Sequence, residues 1–119
     1  MGHVRVSIGL ANPNRPHDLL RVESARVDTG ATLSTLPRQT ANQLGLEVSG
    51  KHRARTAAGI TEVDRSLAYI SIEGRDVVTP VWISDSYPGV LIGVTTLELL
   101  GFAADPVSEK LIDSEFLLL

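Results

Sequence analysis

Short runs of alternating apolar and polar residues, each cut off by a turn-forming cluster, constrain this chain more than any other feature. From His3 to Leu10, the residues Val4, Val6, Ile8 and Leu10 fall on one face and His3, Arg5, Ser7 and Gly9 on the other. A period of two is that of a strand half buried in a sheet. Asn12-Pro13-Asn14-Arg15-Pro16 then reads as a turn or exposed loop. Leu19–Val27 follows as a second, antiparallel strand, with Leu20, Val22 and Ser24 expected on one face. Leu33–Leu36 is short and apolar-leaning, and Leu46–Val48 resumes an extended course until Ser49-Gly50 breaks it. Lys51–Ala58, basic at first and then small, leads as a strand into the Ala57–Thr61 tip of a long hairpin. Thr61–Ile72 is a strand with Val63, Leu67, Ile70 and Ile72 as apolar anchors. After the Glu73-Gly74-Arg75-Asp76 turn comes Val77–Ile83, where Pro80 marks an edge or a bulge, and later the buried strand Val90–Gly93. Two stretches suit helices, both short. Pro37 opens Arg38–Leu44, which puts Ala41 and Leu44 inward and stops at Gly45. Thr95 and Glu98 stand at capping-box spacing for a helix through Leu100, ended by Gly101. Beyond it lie Asp105-Pro106, a short hairpin around Ser108-Glu109, and the apolar run Phe116–Leu119. The expected class is mainly β with one or two short helices.

Composition excludes several kinds of function. The 119 residues are enough for one domain, 1–119, and 43% hydrophobic against 21% charged residues provides a core and argues against disorder. A net charge of −3 leaves no electrostatic footprint for nucleic acid. There is no cysteine, so disulfides, thiol catalysis and zinc–thiolate sites are excluded. No apolar run approaches the ~18 residues of a membrane span. Met1–Arg5 lacks the apolar core of a signal peptide, which makes the cytoplasm the default location. His3, His17 and His52 have no ligand spacing, so no metal is expected, and no glycine-rich phosphate loop implies a cofactor. Ser34 lacks the Gly-x-Ser-x-Gly setting of a nucleophile. Lys51, Arg53 and Arg55 read as a solvated strand face. Trp82 reads as a core or strand-edge anchor, with the lining of a substrate pocket as the alternative, and Asp18, Asp64, Asp76, Asp85 and Asp105 read as surface or turn residues.

One stretch looks like chemistry: Val27-Asp28-Thr29-Gly30-Ala31-Thr32. An acid ends an apolar-leaning strand and is followed by a short hydroxyl residue and a glycine. Gly30 allows a tight backbone path on which its N–H approaches the carboxylate, and Thr29 offers a hydroxyl that can lock the loop to a neighbour. Asp-Thr-Gly also suits an ordinary turn. A second segment, Val90-Leu91-Ile92-Gly93, precedes a short helix later in the chain. The two segments in this order resemble the retropepsin-like aspartic proteases. Ala31 points to the retroviral-type branch, since pepsin has a hydroxyl residue there. Leu100-Gly101-Phe102-Ala103-Ala104-Asp105-Pro106 is similar to the ending of bacterial single-domain members, and the resemblance covers nearly the whole chain.

The resemblance implies a small closed β-barrel-like domain with a flap hairpin. Asp28, Thr29 and Gly30 would be catalytic. Ala31 and Thr32, with Ala58, Gly59 and Ile60 at the flap tip, would bind substrate, although Ala57–Thr61 is otherwise only a turn. One chain supplies one such aspartate and the chemistry needs two, so a homodimer acting on a peptide or protein is implied. The pair would share one proton. Thr29 would lock the two loops across the axis, and Ala31 goes with an optimum in mildly acidic conditions. His3–Leu10 and Phe116–Leu119 are candidates for the dimer sheet, with internal packing as the alternative for the latter. The chain departs from the retroviral pattern at Thr32, where an acid is usual, in a flap with the single Gly59, and in its longer C-terminal segment. The competing reading is a non-catalytic retropepsin-like domain for dimerisation or peptide binding.

Overall fold

The computed structural model describes residues 3–114. Its elements, in chain order, are β1 (Arg5–Ala11), β2 (Leu20–Val27), β3 (Ser34–Pro37), α1 (Arg38–Leu44), β4 (Gly50–Thr56), β5 (Gly59–Ile72), β6 (Arg75–Ser84), β7 (Leu91–Ile92), α2 (Val94–Leu100), β8 (Phe102–Asp105) and β9 (Lys110–Asp113). The main sheet runs β1-β2-β7-β3-β6-β5-β4, and β1 also pairs with β5. That extra pairing closes a ring of six strands, the closed barrel of the expected retropepsin-like fold. The strand β4 stays outside the ring and, among the described residues, pairs only with β5.

Ile8, Leu10, Leu36, Ile70, Ile72, Val81 and Ile92 fill the interior and are almost wholly buried. Each such side chain contributes about 1.5–3 kcal/mol relative to leaving it in water. Leu97, Leu100 and Phe102 extend the core beneath α2.

The second strand departs from the expected phase. Val6 faces Ala25, and Ile8 faces Val22. Two steps on β1 therefore span three on β2, and the extra residue falls at Glu23-Ser24 as a bulge. Strict alternation from Leu20 would have turned Ser24, Arg26 and Asp28 toward the core. The bulge instead buries Ala25 and Val27, exposes Ser24 and leaves Asp28 half-buried.

Leu67 is 50% exposed, contrary to its expected role as an anchor. The inward phase of β5 runs through Ala68, Ile70 and Ile72, so Leu67 faces out opposite Pro80. Pro80 is tolerated because β3 joins β6 only from Val81 onward, leaving β5 as its one neighbour. Gly50 opens β4 opposite Arg65 where a break was expected, and Leu46–Val48 joins no sheet. The ends of α1 follow the expectation: Ala41 and Leu44 are buried, and Gly45 takes a left-handed φ of 66°. Pro37 itself is the residue that precedes the first helical turn.

β8 and β9 form a separate hairpin. Arg75 fastens it: Nη1 donates to the carbonyls of Leu100 and Gly101 (both 3.0 Å), Nη2 meets Asp113 at 2.6 Å, and the guanidinium lies 4.3 Å from the Phe102 ring centroid. Phe116–Leu119, expected in a dimer sheet, lie outside the described residues.

Candidate active site

The loop after β2 is held by an unusual number of backbone contacts. β7 runs parallel to β2 (Arg26 beside Leu91, Val27 beside Ile92) and antiparallel to β3 (Thr35 beside Leu91). The segment between β2 and β3 therefore loops around the end of β7. Asp28 N–H donates to the Ile92 carbonyl at 2.9 Å, and Ala31 N–H donates to the Asp28 carbonyl at 3.1 Å. Gly30 N–H donates to Asp28 Oδ1 at 3.0 Å, as its place in the tripeptide implied.

The helix α2 completes the fixing. The sequence placed a capping box at Thr95 and Glu98, but Gly93 occupies the cap position and no side chain caps the helix. The first-turn donors turn to the loop instead: Val94 N–H donates to the Ala31 carbonyl at 2.8 Å and Thr95 N–H to the Thr32 carbonyl at 2.9 Å. Free first-turn N–H groups are ready-made donors for such a use. Beneath them Ser34 and Thr96 share a buried hydroxyl–hydroxyl bond of 2.6 Å, and Gly93 N–H donates to Ser34 Oγ at 3.0 Å. Ser34 and Thr96 are the residues that sequence reasoning missed. Two buried hydroxyls flanking the two motifs were the available signal.

Thr29 and Gly30 are exposed, and Asp28 is half-buried. Asp28 and Thr29 border a recess of about 230 Å³ with His3, Val4, Arg26, Val27, Ala104 and Pro106. A larger, mostly apolar cleft of about 580 Å³ lies beneath the β4–β5 hairpin. It is lined by Thr56–Thr61 of the hairpin, by Val63, Trp82, Thr35 and Leu91, and by Ser84, Ser86 and Tyr87. Ala58, Gly59 and Ile60 thus line the cleft, whereas Ala31 and Thr32 do not. Within one chain the flap tip therefore lines this cleft, whereas Asp28 lines the separate recess. Trp82, expected as a core or strand-edge anchor, is half-buried and lines the cleft. Its ring meets His52 edge-on at 5.1 Å, and Arg65 Nη1 lies 3.1 Å from His52 Nε2.

Asp64 and Asp85, expected as plain surface or turn residues, belong to an ionic cluster beside the cleft. Arg38 and Lys51 both meet Asp64, whose side chain is only 7% exposed, and Arg38 also meets Asp85. The Arg38 guanidinium, then Lys51, holds the Asp64 carboxyl below the usual carboxylate range. Arg38 does the same to Asp85. A carboxylate saturated by two cations is a poor proton acceptor. Among the described residues, only the Gly30 N–H bonds the Asp28 carboxylate.

Residues 18–101 match the aspartyl protease family. A retropepsin-like aspartic protease from Rickettsia conorii superposes with a TM-score of 0.63 at 20% identity, covering 87% of this chain and 84% of that one. EIAV protease, in complex with the inhibitor HBY-793, superposes with a TM-score of 0.62 at 19% identity, over 98% of this chain and 93% of that one. The retroviral protease-like domain of Ddi1 from Leishmania major gives 0.60 at 18% identity, over 95% and 90%. At these identities the likeness establishes the fold. No curated protein sequence matches the chain.

Proposed function

This chain belongs to the aspartyl protease family, and from that premise we propose that it is an endopeptidase that cuts peptide bonds with a water activated by two Asp28 carboxylates in a homodimer. The observation that carries the reading is the construction around Asp28: a carboxylate held by the Gly30 N–H, on a loop pinned through β7 and α2, at an exposed rim. So much fixing of a surface turn orients a reacting group in advance.

In the proposed mechanism one Asp28 of the pair is ionised and takes a proton from the water. The other is protonated and gives its proton to the substrate carbonyl oxygen. The water oxygen bonds to the carbonyl carbon to form a gem-diol. The C–N bond then breaks as the leaving nitrogen takes a proton from one carboxyl and a gem-diol hydroxyl gives its proton to the other carboxylate, which forms the product acid and restores the single shared proton. Two carboxylates about 3 Å apart cannot both ionise, so their apparent pKa values belong to the pair. Exposed Thr29 would bond its mate across the axis. The flap tip at Ala58, Gly59 and Ile60 would close over the peptide, while Ala31 and Thr32 would meet its backbone. A cytoplasmic location is part of the same proposal.

The test is hydrolysis of a mixed peptide library from about pH 3 to about pH 7, with wild type and Asp28→Asn side by side. Cleavage falls by about 10²–10⁴-fold or more in the variant, with its melting temperature unchanged. Equal cleavage by both proteins removes Asp28 from the mechanism. No cleavage by a demonstrably dimeric wild type would favour the non-catalytic peptide-binding reading.

A further inference from the structure

Asp64 sits where one strand changes partners. On β5, residues Gly59–Arg65 pair with β4, and residues Asp64–Ile72 pair with β6. Asp64 is thus at the point where the flap hairpin leaves the barrel. Its buried carboxylate accepts Arg38 Nη1 at 2.5 Å on Oδ2 and Lys51 Nζ at 3.0 Å on Oδ1. The same guanidinium reaches a second acid: Nε and Nη2 donate to Oδ1 and Oδ2 of Asp85, each at 3.1 Å. Asp85 lies between Ser84 and Ser86, which with Tyr87 form a wall of the same cleft that the flap residues Thr56–Thr61 line.

One planar group therefore bridges the flap stem and the cleft-lining segment around Asp85, and its three nitrogens are all engaged. Arginine suits this because its fork is rigid and its donors diverge in a plane, whereas a lysine would bring a single point charge. An isolated surface pair would hold little. This one differs because Asp64 is almost out of water, so losing either cation leaves one oxygen of a buried carboxylate without its partner.

We propose that Arg38 is a positioning residue that couples the flap to the 84–89 wall, so that the two sides of the cleft open and close together. The proposal rests on the cleft being where a peptide binds. The mechanical coupling itself does not depend on catalysis. A purely local role for the ion pairs makes a different prediction: loosening the wall would leave the flap as it was.

Hydrogen exchange of the full chain without substrate separates the two. In Asp85→Asn, which touches only the wall side, the flap-stem amides of residues 52–56 and 60–63 exchange about tenfold faster. The β1 and β2 amides stay at wild-type rates. Arg38→Lys keeps the charge but loses the fork, and it reproduces the same pattern. Faster exchange confined to 84–89, or spread evenly over the whole barrel, overturns the coupling, as does wild-type flap exchange in Arg38→Lys. Because no substrate is present, failure here leaves peptide hydrolysis to be judged on its own, and a chain that cuts nothing leaves the exchange result standing.

Discussion

At Gly93 a single hydrogen atom decides whether the site can exist. A Cβ there would lie 2.6 Å from both the carbonyl carbon and oxygen of Leu33 and 2.9 Å from the Thr32 oxygen. All three are backbone atoms of the loop that carries Asp28, so no side chain can swing aside. The φ of Gly93 is −89°, open to any residue. Close approach alone therefore demands the glycine. Gly93→Ala is expected to cost about 3 kcal/mol, the upper end for overpacking a tight interior, read as a lowered urea midpoint with an unchanged slope. A midpoint equal to wild type would mean the loop yields freely and is not pinned by α2. At Gly30 the nearest obstacle to a Cβ is the Asp28 Oδ1 itself, at 3.3 Å. There the constraint bears on where the carboxylate points.

The flap hairpin is the element whose behaviour depends most on charge. Asp64 is lowered by Arg38 and then Lys51, and Asp85 is lowered by Arg38, both from an ordinary 3.8. A folded value below the unfolded one means the unfolded chain takes up protons first as pH falls. The cluster's stabilisation is then complete above the unfolded value and is lost as pH drops through the folded one. The melting-temperature gap between wild type and Asp64→Asn should hold steady from neutral pH to about pH 5 and shrink below about pH 4. A gap that widens on acidification would contradict the assignment. A mildly acidic optimum, as Ala31 implies, would leave this cluster intact while the dyad works.

For the whole molecule, ring closure places β7 between β2 and β3, and so puts the two sequence motifs side by side. The acid then stands at the rim of the barrel, beside Ala104 and Pro106 of the C-terminal hairpin. A second copy that brings its own Asp28 to this rim would meet that hairpin as well. On the proposed mechanism, activity per chain falls on dilution and follows the dimer fraction measured by sedimentation. Activity per chain that stays constant while the dimer dissociates would rule out the shared dyad.

Local rules determined much of this. Period-two patterning reports burial residue by residue, so it located the strands, and Gly45, Gly101 and the Glu73-Gly74 turn ended elements through backbone conformations that glycine or a tight turn requires. The Asp28–Gly30 and Leu91–Gly93 motifs were readable for the same reason: each needs particular residue types at adjacent positions. What depended on distant partners was not readable. The bulge at Glu23-Ser24 exists only because β1 sets the register of β2, and it reversed the expected face. Thr95 lost its capping role because the helix begins one residue earlier, at Val94, which places Thr95 inside the first turn with its N–H on the Thr32 carbonyl. Asp64 and Asp85 looked like surface acids until folding brought Arg38 between them, across 26 and 47 positions of sequence. Sequence determines what a residue can do with its neighbours in the chain; tertiary structure decides which strangers it meets, because pairing register and ion-pair geometry are properties of the closed barrel.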